Sequence, residues 1–423
     1  MMHKLALVLL LSLPAAAQQR VAIHAGKLLD VHTGNSRSDV YILVQDDKIA
    51  SIESAAPAGV KVIDLSRQTV LPGLCDCHAH VLGDPKDWSP TAALRMSSAQ
   101  AALWGARNLR AWLERGFTML RDPGESDQGY GQVALRDSVR MGLIPGPRMQ
   151  VSGNFVSVTG GHGDADVLAP DQELPRRVNL ADTVDEVARA VRRDIKYGAD
   201  WIKLMATGGV MDPMSDFNVQ ELSEEQMAEA VRVAHRAGKK VMAHAHGTPG
   251  IRVAVNAGVD SIEHGSILDG DTAALMARKG TWLVPTIHVL EEALESGASH
   301  GMTPAMLEKA RGVMKLRRAG FDAALKAGVR IVFGVDAEPE SAPQEFDAMV
   351  RYGMKPLQAI QAATLNAVEM MGMAAQAGAI EPGKFADVIA VDGDPLQDIR
   401  TLERVRFVMK GGEVVSALSE PRQ

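Results

Sequence analysis

The stretch Cys75-Asp76-Cys77-His78-Ala79-His80 places two thiols and two imidazoles within six consecutive residues. Two chemistries can use such a set. A structural zinc knuckle takes Cys and His pairs spaced by two to four residues around a turn, and it needs a second pair elsewhere. Cys75 and Cys77 are the only cysteines in the 423 residues, so that second Cys pair is missing. On a β-strand, successive side chains alternate between faces. His78 and His80 then share one face with Asp76, while Cys75, Cys77 and Ala79 take the other. The expectation is a metal-binding His-x-His pair with free, buried thiols facing away, packed against neighbouring helices. A disulfide between two such cysteines would be badly strained.

Further ligand-type residues recur where apolar runs end. Lys203 lies within Trp201-Ile202-Lys203-Leu204-Met205, His244 and His246 follow Lys240-Val241-Met242-Ala243, and His264 closes Ser261-Ile262-Glu263. His288 comes after Val284-Pro285-Thr286, and Asp336 follows the run from Arg330 to Gly334. Singly, each is an ordinary strand-end side chain. Together, imidazoles, a carboxylate and a lysine-derived carbamate are what a pair of first-row divalent ions requires. His162 sits in the Gly-rich Thr159-Gly160-Gly161-His162-Gly163-Asp164, where backbone freedom lets a ring approach a ligand closely. Arg121 has Asp122 and Asp127 as nearby acidic partners and is left outside the candidate set.

The elements that must position these residues alternate. Strand candidates are Leu71–His80, Phe117–Arg121, Arg148–Ser152, Trp201–Met205, Lys240–His244, Ser261–His264, Trp282–Thr286 and Arg330–Gly334. Between them run helical patterns at Ala92–Arg115, Thr183–Tyr197, Ser223–Ala237 and Pro304–Ala327. This α/β alternation fits a (β/α)8 TIM barrel, whose reactive groups lie at the carboxyl ends of the strands. An open doubly wound sheet is the alternative, but no Gly-x-Gly-x-x-Gly follows the first strand. Short β-type runs at both chain ends suggest a small β-sandwich domain built from residues 18–72 and 375–423, with residues 73–374 forming the barrel.

The first residues read as a secretory signal peptide. Met1-Met2-His3-Lys4 is basic, Leu5 to Leu13 is apolar, and Ala15-Ala16-Ala17 offers a cleavage site, so residues 1–17 are expected to be removed. A periplasmic or secreted protein follows, with no membrane span in the mature chain. A formal net charge of -7, no basic run and 4% aromatics remove the electrostatic footprint of a nucleic-acid binder. The expected partner is a small-molecule amide or peptide substrate, with self-association into a homo-oligomer left open.

Taken in order, the motifs resemble the amidohydrolase superfamily, in its binuclear-metal, imidazolonepropionase-like and prolidase-like branch. They are Val70-Leu71-Pro72-Gly73-Leu74-Cys75-Asp76-Cys77-His78-Ala79-His80, Gly116-Phe117-Thr118-Met119-Leu120-Arg121-Asp122 and Thr159-Gly160-Gly161-His162-Gly163-Asp164. There follow Ile202-Lys203-Leu204-Met205-Ala206-Thr207-Gly208-Gly209, Ala243-His244-Ala245-His246-Gly247, Ile262-Glu263-His264-Gly265, Gly334-Val335-Asp336-Ala337 and Pro382-Gly383-Lys384-Phe385-Ala386-Asp387-Val388. The branch includes Xaa-Pro and acyl-amino-acid carboxypeptidases and ochratoxin-degrading enzymes.

The resemblance implies two Zn²⁺ or other divalent ions. His78, His80 and Asp336 would hold the first, His244 and His264 the second, and a carbamylated Lys203 would bridge them. It makes Asp336 the general base that takes a proton from the attacking water and passes it to the leaving nitrogen. It assigns His162 and His246 to the substrate carbonyl or carboxylate, with His288 a further candidate for the pocket wall. Prolidase-like relatives carry tyrosine where His246 stands. The implied reaction is hydrolysis of the amide in N-acyl or dipeptidyl amino acids. Cyclic-amide hydrolysis and a catalytically dead structural role are the competing readings. Deamination is disfavoured by Lys203, since deaminases of the superfamily generally use one metal.

Overall fold

Runs of β-branched and small apolar residues at the two chain ends form strands that meet across the whole sequence. A computed structural model describes residues 20–164, 167–172 and 177–417, so the leader expected at residues 1–17 lies outside the described residues. The first strands are β1 (Arg20–Leu29), β2 (Ser36–Gln45), β3 (Lys48–Glu53) and β4 (Lys61–Pro72). Through the middle run β5 (Leu74–Asp76), β6 (Phe117–Asp122), β7 (Arg148–Val151), β8 (Trp201–Met205), β9 (Lys240–Ala245), β10 (Ser261–His264) and β11 (Trp282–Val284). The last are β12 (Val388–Val391), β13 (Val405–Lys410) and β14 (Glu413–Ala417).

Both ends contribute to one seven-stranded sheet of order β14-β13-β12-β4-β1-β2-β3. In it β4 runs parallel to β1 and antiparallel to β12, with Val70 opposite Ala390. Ile23, Ile42, Val70, Val388 and Phe407 form its own apolar core.

The middle strands are parallel and lie in two sheets, β11-β10-β9-β8 and β5-β6-β7. Every residue of β6, β8 and β10 is buried, as expected for parallel strands covered on both faces. A bridge from Ser152 to Trp201 connects β7 with β8, and one from Leu283 to Ile331 connects β11 with the segment 330–334. That segment in turn meets the start of the series, since Cys77 N donates to Phe333 O (2.9 Å) and Asp336 N to His78 O (2.9 Å). The segment is not a regular strand, because Phe333 N turns instead to Ala362 O at 3.1 Å. Its Gly334 packs so tightly that a Cβ there would lie 2.4 Å from Val284 and 2.9 Å from His78 Cβ.

The expected strand Leu71–His80 is divided. β4 ends at Pro72, and Gly73 passes so close to Thr118 that a Cβ would fall 2.4 Å from its Oγ1. β5 then lasts three residues, because the Asp76 carboxylate accepts the His78 N–H at 2.7 Å and turns the chain. Strict alternation therefore stops before the histidines, which corrects the expected orientation of the thiols. Cys75 and Cys77 cluster between the sheets with Met119, Trp201, Met242 and Val284, where Ala367, Val368 and Met370 of the helix Leu365–Met370 pack on them as the expected helix contact. The helix-facing core takes Leu74, Leu120, Ile202, Ala243 and Ile262 instead. The thiols are free and 3.9 Å apart, with Cys75 Sγ 3.4 Å from Met371 Sδ.

Among the helices, the expected run Ala92–Arg115 breaks into Ala92–Arg95 and Ser98–Glu114, the second capped by Ser97. Thr183 and Ser223 each close a capping box on the helices Val184–Lys196 and Glu224–Arg236, supplying acceptors for otherwise orphaned N–H groups. The helix Pro304–Ala327 runs from an N-cap at Thr303 to Gly328, whose φ of 71° suits glycine. Among the described residues, no helix is long and apolar enough to cross a membrane.

Candidate metal centre

Parallel strands end on the same side, and that side carries the ligand-type residues. His78 and His80 follow β5, Lys203 lies in β8, His244 in β9 with His246 just beyond, and His264 ends β10. With Asp336 and His162 they line one cavity of about 690 Å³. His78, His80 and Asp336 each offer a ligand atom, all within 4.8 Å of one another, and so do His244, His246 and His264. Asp336 Oδ1 lies 3.5 Å from His78 Nε2 and 3.4 Å from His80 Nε2. His264 (φ 72°) and Asp336 (φ 59°) both occupy the left-handed region, which disfavours a side chain and clusters at functional positions.

The rings are held from behind. His78 Nδ1 donates to Glu263 Oε2 at 2.7 Å, and Arg121 Nη2 donates to both Glu263 oxygens at 2.8 Å. Ser261 Oγ donates to the same carboxylate, and Arg121 Nε to Cys77 O at 2.7 Å, with the guanidinium 4.6 Å from the Trp201 ring centre. Arg121, Glu263 and His78 are all sealed from solvent. Arg121 is thus committed to Glu263 rather than to Asp122 or Asp127. His264 Nδ1 pairs with Thr286 Oγ1 at 2.8 Å and His246 Nδ1 with Ser266 Oγ at 2.9 Å. Each bond at Nδ1 leaves Nε2 as the available donor atom, the arrangement by which metal-binding histidines are oriented.

Burial pushes His78, His244, His246 and His264 well below the usual imidazole range, helped by the positive charge of Lys203. They are neutral, the form that ligates a metal. Burial disfavours charge on His80 too, but Glu125, Asp336 and Asp122 outweigh it and raise it to about 9, so a proton must leave before that ring can ligate. Burial lowers the Lys203 amine to about 8 against the pull of Glu263 and Asp336, which enlarges the neutral fraction able to capture carbon dioxide. Burial raises the Asp336 carboxyl, opposed by His80 and Lys203. Four neutral imidazoles, a fifth at His80 that must first lose a proton, one carboxylate and a perturbed lysine form a donor set that suits divalent metal ions.

Two of the remaining candidates reach the cavity and one does not. His162 lines it, with its ring 4.4 Å from that of His244, and His246 stacks on His264 at 4.8 Å. His288 lies outside the lining, which corrects its expected place on the pocket wall. β11 ends at Val284, and Thr286, with φ 43°, starts the helix Ile287–Ser296. His288 is then its second residue, with its N–H on Glu345 and its ring 3.7 Å from Glu291 and 3.9 Å from Glu292. Val289 and Leu290 face the cavity instead. Sequence reading passed over Glu263, although it stands directly before a candidate ligand, and over Asp212, which lies 2.6 Å from His162 Nδ1.

Known proteins share this arrangement of chain. The amidohydrolase family profile matches residues 69–415. Ochratoxinase of Aspergillus niger is 35% identical, with 93% of this chain and 86% of that protein covered. Imidazolonepropionase of Micrococcus luteus is 26% identical over 85% of this chain and 89% of its own. A solved Xaa-Pro dipeptidase with methionine bound in its active site superposes with a TM-score of 0.86 at 34% identity, covering 93% of this chain and 99% of the other. The structure of A. niger ochratoxinase superposes with a TM-score of 0.82 at 32% identity, covering 95% and 96%. The chain therefore belongs to the amidohydrolase family, in the branch of ochratoxinase, the prolidase-like enzymes and imidazolonepropionase, and is a metal-dependent hydrolase of carbon–nitrogen bonds.

Proposed function

We propose that the protein is a two-zinc amidohydrolase that cleaves the amide joining an acyl or aminoacyl group to a C-terminal amino acid. The observation that carries this reading is the pair of three-donor clusters on one cavity that Lys203 also lines. In this reading His78, His80 and Asp336 would hold one ion and His244 and His264 the other, with a carbamylated Lys203 as a further ligand. The bridges and hydrogen bonds that connect the two parallel sheets support a (β/α)8 barrel over residues 73–374, beside a β domain of residues 18–72 and 375–423 built on the one seven-stranded sheet rather than on the two packed sheets of a sandwich. The basic, then apolar, start of the chain supports export.

When bound, the ions make water acidic enough to attack at neutral pH and polarise the scissile carbonyl. The chain's own residues do the rest. Asp336 accepts the proton of the attacking water at its carboxylate and returns it to the leaving nitrogen, which must be protonated before it departs. Glu263 and Arg121 keep the His78 ring in place, and His246 and His162 face the substrate. Trp88, Met211, Val289 and Leu290 give the cavity an apolar wall against which an acyl group can shed water.

The relatives direct the choice of substrates, among them ochratoxin A for its amide to phenylalanine. The test is a panel of N-acyl and dipeptidyl amino acids, ochratoxin A and cyclic amides, offered to the zinc-loaded protein. Turnover of acyl-amino acids is expected. Inactivity on all of them, with turnover of a lactam, would give the site to cyclic-amide hydrolysis.

A further inference from the structure

The loop that follows β8 is built around one side chain. Asp212 Oδ1 accepts from Met214 N (2.8 Å) and Ser215 N (2.6 Å), and Oδ2 accepts from Ser215 Oγ (2.6 Å). Ser215 Oγ in turn accepts from Gly209 N at 2.9 Å. Lys309, on the helix Pro304–Ala327, ties the loop down by donating to Gly209 O (3.1 Å) and Asp212 O (2.7 Å).

This rigid loop holds His162, which arrives from another part of the chain. Asp212 Oδ2 lies 2.6 Å from His162 Nδ1, and the His162 N–H donates to Glu221 Oε1 at 2.8 Å. The ring rests on Gly209 so closely that a Cβ there would lie 2.2 Å from Cε1 and 2.4 Å from both ring nitrogens. Among the described residues, Nε2 has no hydrogen-bond partner, and His162 lines the cavity beside His244.

We infer that Asp212 is a positioning residue that fixes the His162 ring and its Nδ1–H tautomer, presenting Nε2 to the substrate amide. The inference rests on the reading of the cavity as an amide-hydrolysing site. A carboxylate that accepts from Nδ1 sets both the plane of the ring and which nitrogen faces outward, and the bonds from the loop hold the carboxylate itself. Burial alone would push the Asp212 carboxyl up, but the bonds from His162 and Ser215 outweigh it and hold the group well below the usual range. Gly209 supplies the flat floor that a side chain would destroy.

The test uses zinc-loaded, full-length protein with N-acetyl-L-phenylalanine as substrate. Asp212→Asn keeps the size of the side chain and an oxygen for the Met214 and Ser215 N–H groups. It is expected to lower kcat at least about 10–100-fold, the loss seen when the carboxylate behind a metal-binding histidine is removed, with KM changed less than about threefold and zinc content unchanged. Gly209→Ala, which displaces the ring without touching Asp212, should behave alike. In a His162→Gln background Asp212→Asn should change nothing further, because a residue acting through another loses its effect when that other is gone. Full activity of Asp212→Asn, or a loss that multiplies with that of His162→Gln, would overturn the inference. An independent reading comes from protein labelled with ¹⁵N-histidine, where the Nδ1–H resonance absent from His162→Gln should vanish or shift in Asp212→Asn. An unchanged resonance overturns the inference as well. If wild-type protein hydrolyses no amide in the panel, the proposed function fails, and the resonance still decides the role of Asp212.

Discussion

Glu263 Oε2 stands 2.7 Å from His78 Nδ1, inside a shell that admits no solvent to either residue. The same carboxylate receives Arg121 at 2.8 Å, so one negative charge serves an imidazole on its cavity side and a guanidinium on the other. Neither partner can be removed without leaving a buried group unmatched.

Glu263→Gln removes that shared charge while keeping the shape. Arg121 is left buried without its counter-charge, which is expected to lower stability by about 3–5 kcal/mol. Urea denaturation measures this. Zinc affinity should fall roughly 10–100-fold through the loosened His78, as read by competition with a chelating dye. A variant with native stability and native zinc affinity would show that the triad is idle.

Asp336→Asn should cost turnover more than binding. A lost general base lowers kcat by about 100-fold or more, while KM moves little if the substrate is held elsewhere. Steady-state kinetics beside metal analysis separate this from simple loss of an ion. Equal losses in kcat/KM and in metal content would reduce Asp336 to a ligand alone.

His246→Ala distinguishes two roles for a ring that lies within 4.8 Å of the ligand atoms of His244 and His264. Two equivalents of zinc should remain and KM should rise about tenfold, the effect of losing a hydrogen bond to a charged substrate group. His78→Ala, by contrast, should lose metal and activity together. A drop to one ion in His246→Ala would make that ring a ligand.

Replacing Cys75 and Cys77 together with Ala should leave zinc content unchanged. The price is packing, about 2 kcal/mol for two small cavities beside Met371. Both thiols are buried, and burial together with the neighbouring Cys77 thiol raises the Cys75 thiol well above its usual range, so a thiol-specific dye kept out by the fold should label neither residue until the protein unfolds. Rapid labelling of the native protein, or lost zinc, would contradict the placement of the two thiols between the sheets.

Chelation should lower the melting temperature, and zinc should restore it. A ligand that binds only the folded state at a thousandfold excess over its Kd contributes about 4 kcal/mol. Differential scanning calorimetry with and without chelator reads the shift, and identical transitions would argue that the donor clusters take up no ion.

Much of the parallel framework can be read without coordinates. Trp201–Met205 and Ser261–His264 have the same bounds in the sequence and in the structure, and the first shows why, since a strand buried on both faces reads as an apolar run, broken here only by Lys203. The candidate ligands stand out for a related reason, since each follows or interrupts such a run. What could not be read depends on short irregularities or long reach. The orientation of Cys75 and Cys77 turns on β5 being three residues long, and the place of His288 on a helix that starts at once after Thr286. Arg121 and Glu263 are 142 residues apart, and no local pattern announces that pairing.

The pairing of β4 with β12 has a consequence for the order in which this protein is made. Leu71 and Val70 are wholly buried, yet their neighbours Ile389 and Ala390 are supplied some 320 residues later in the chain. Until those late residues arrive, the first strands expose an apolar, hydrogen-bond-hungry edge that invites association with other chains. His78, a proposed metal ligand, lies only a few residues beyond that edge. Chain completion therefore works as a clasp, and a nascent chain that has already made every candidate ligand of the site still lacks the strand that shields its beginning.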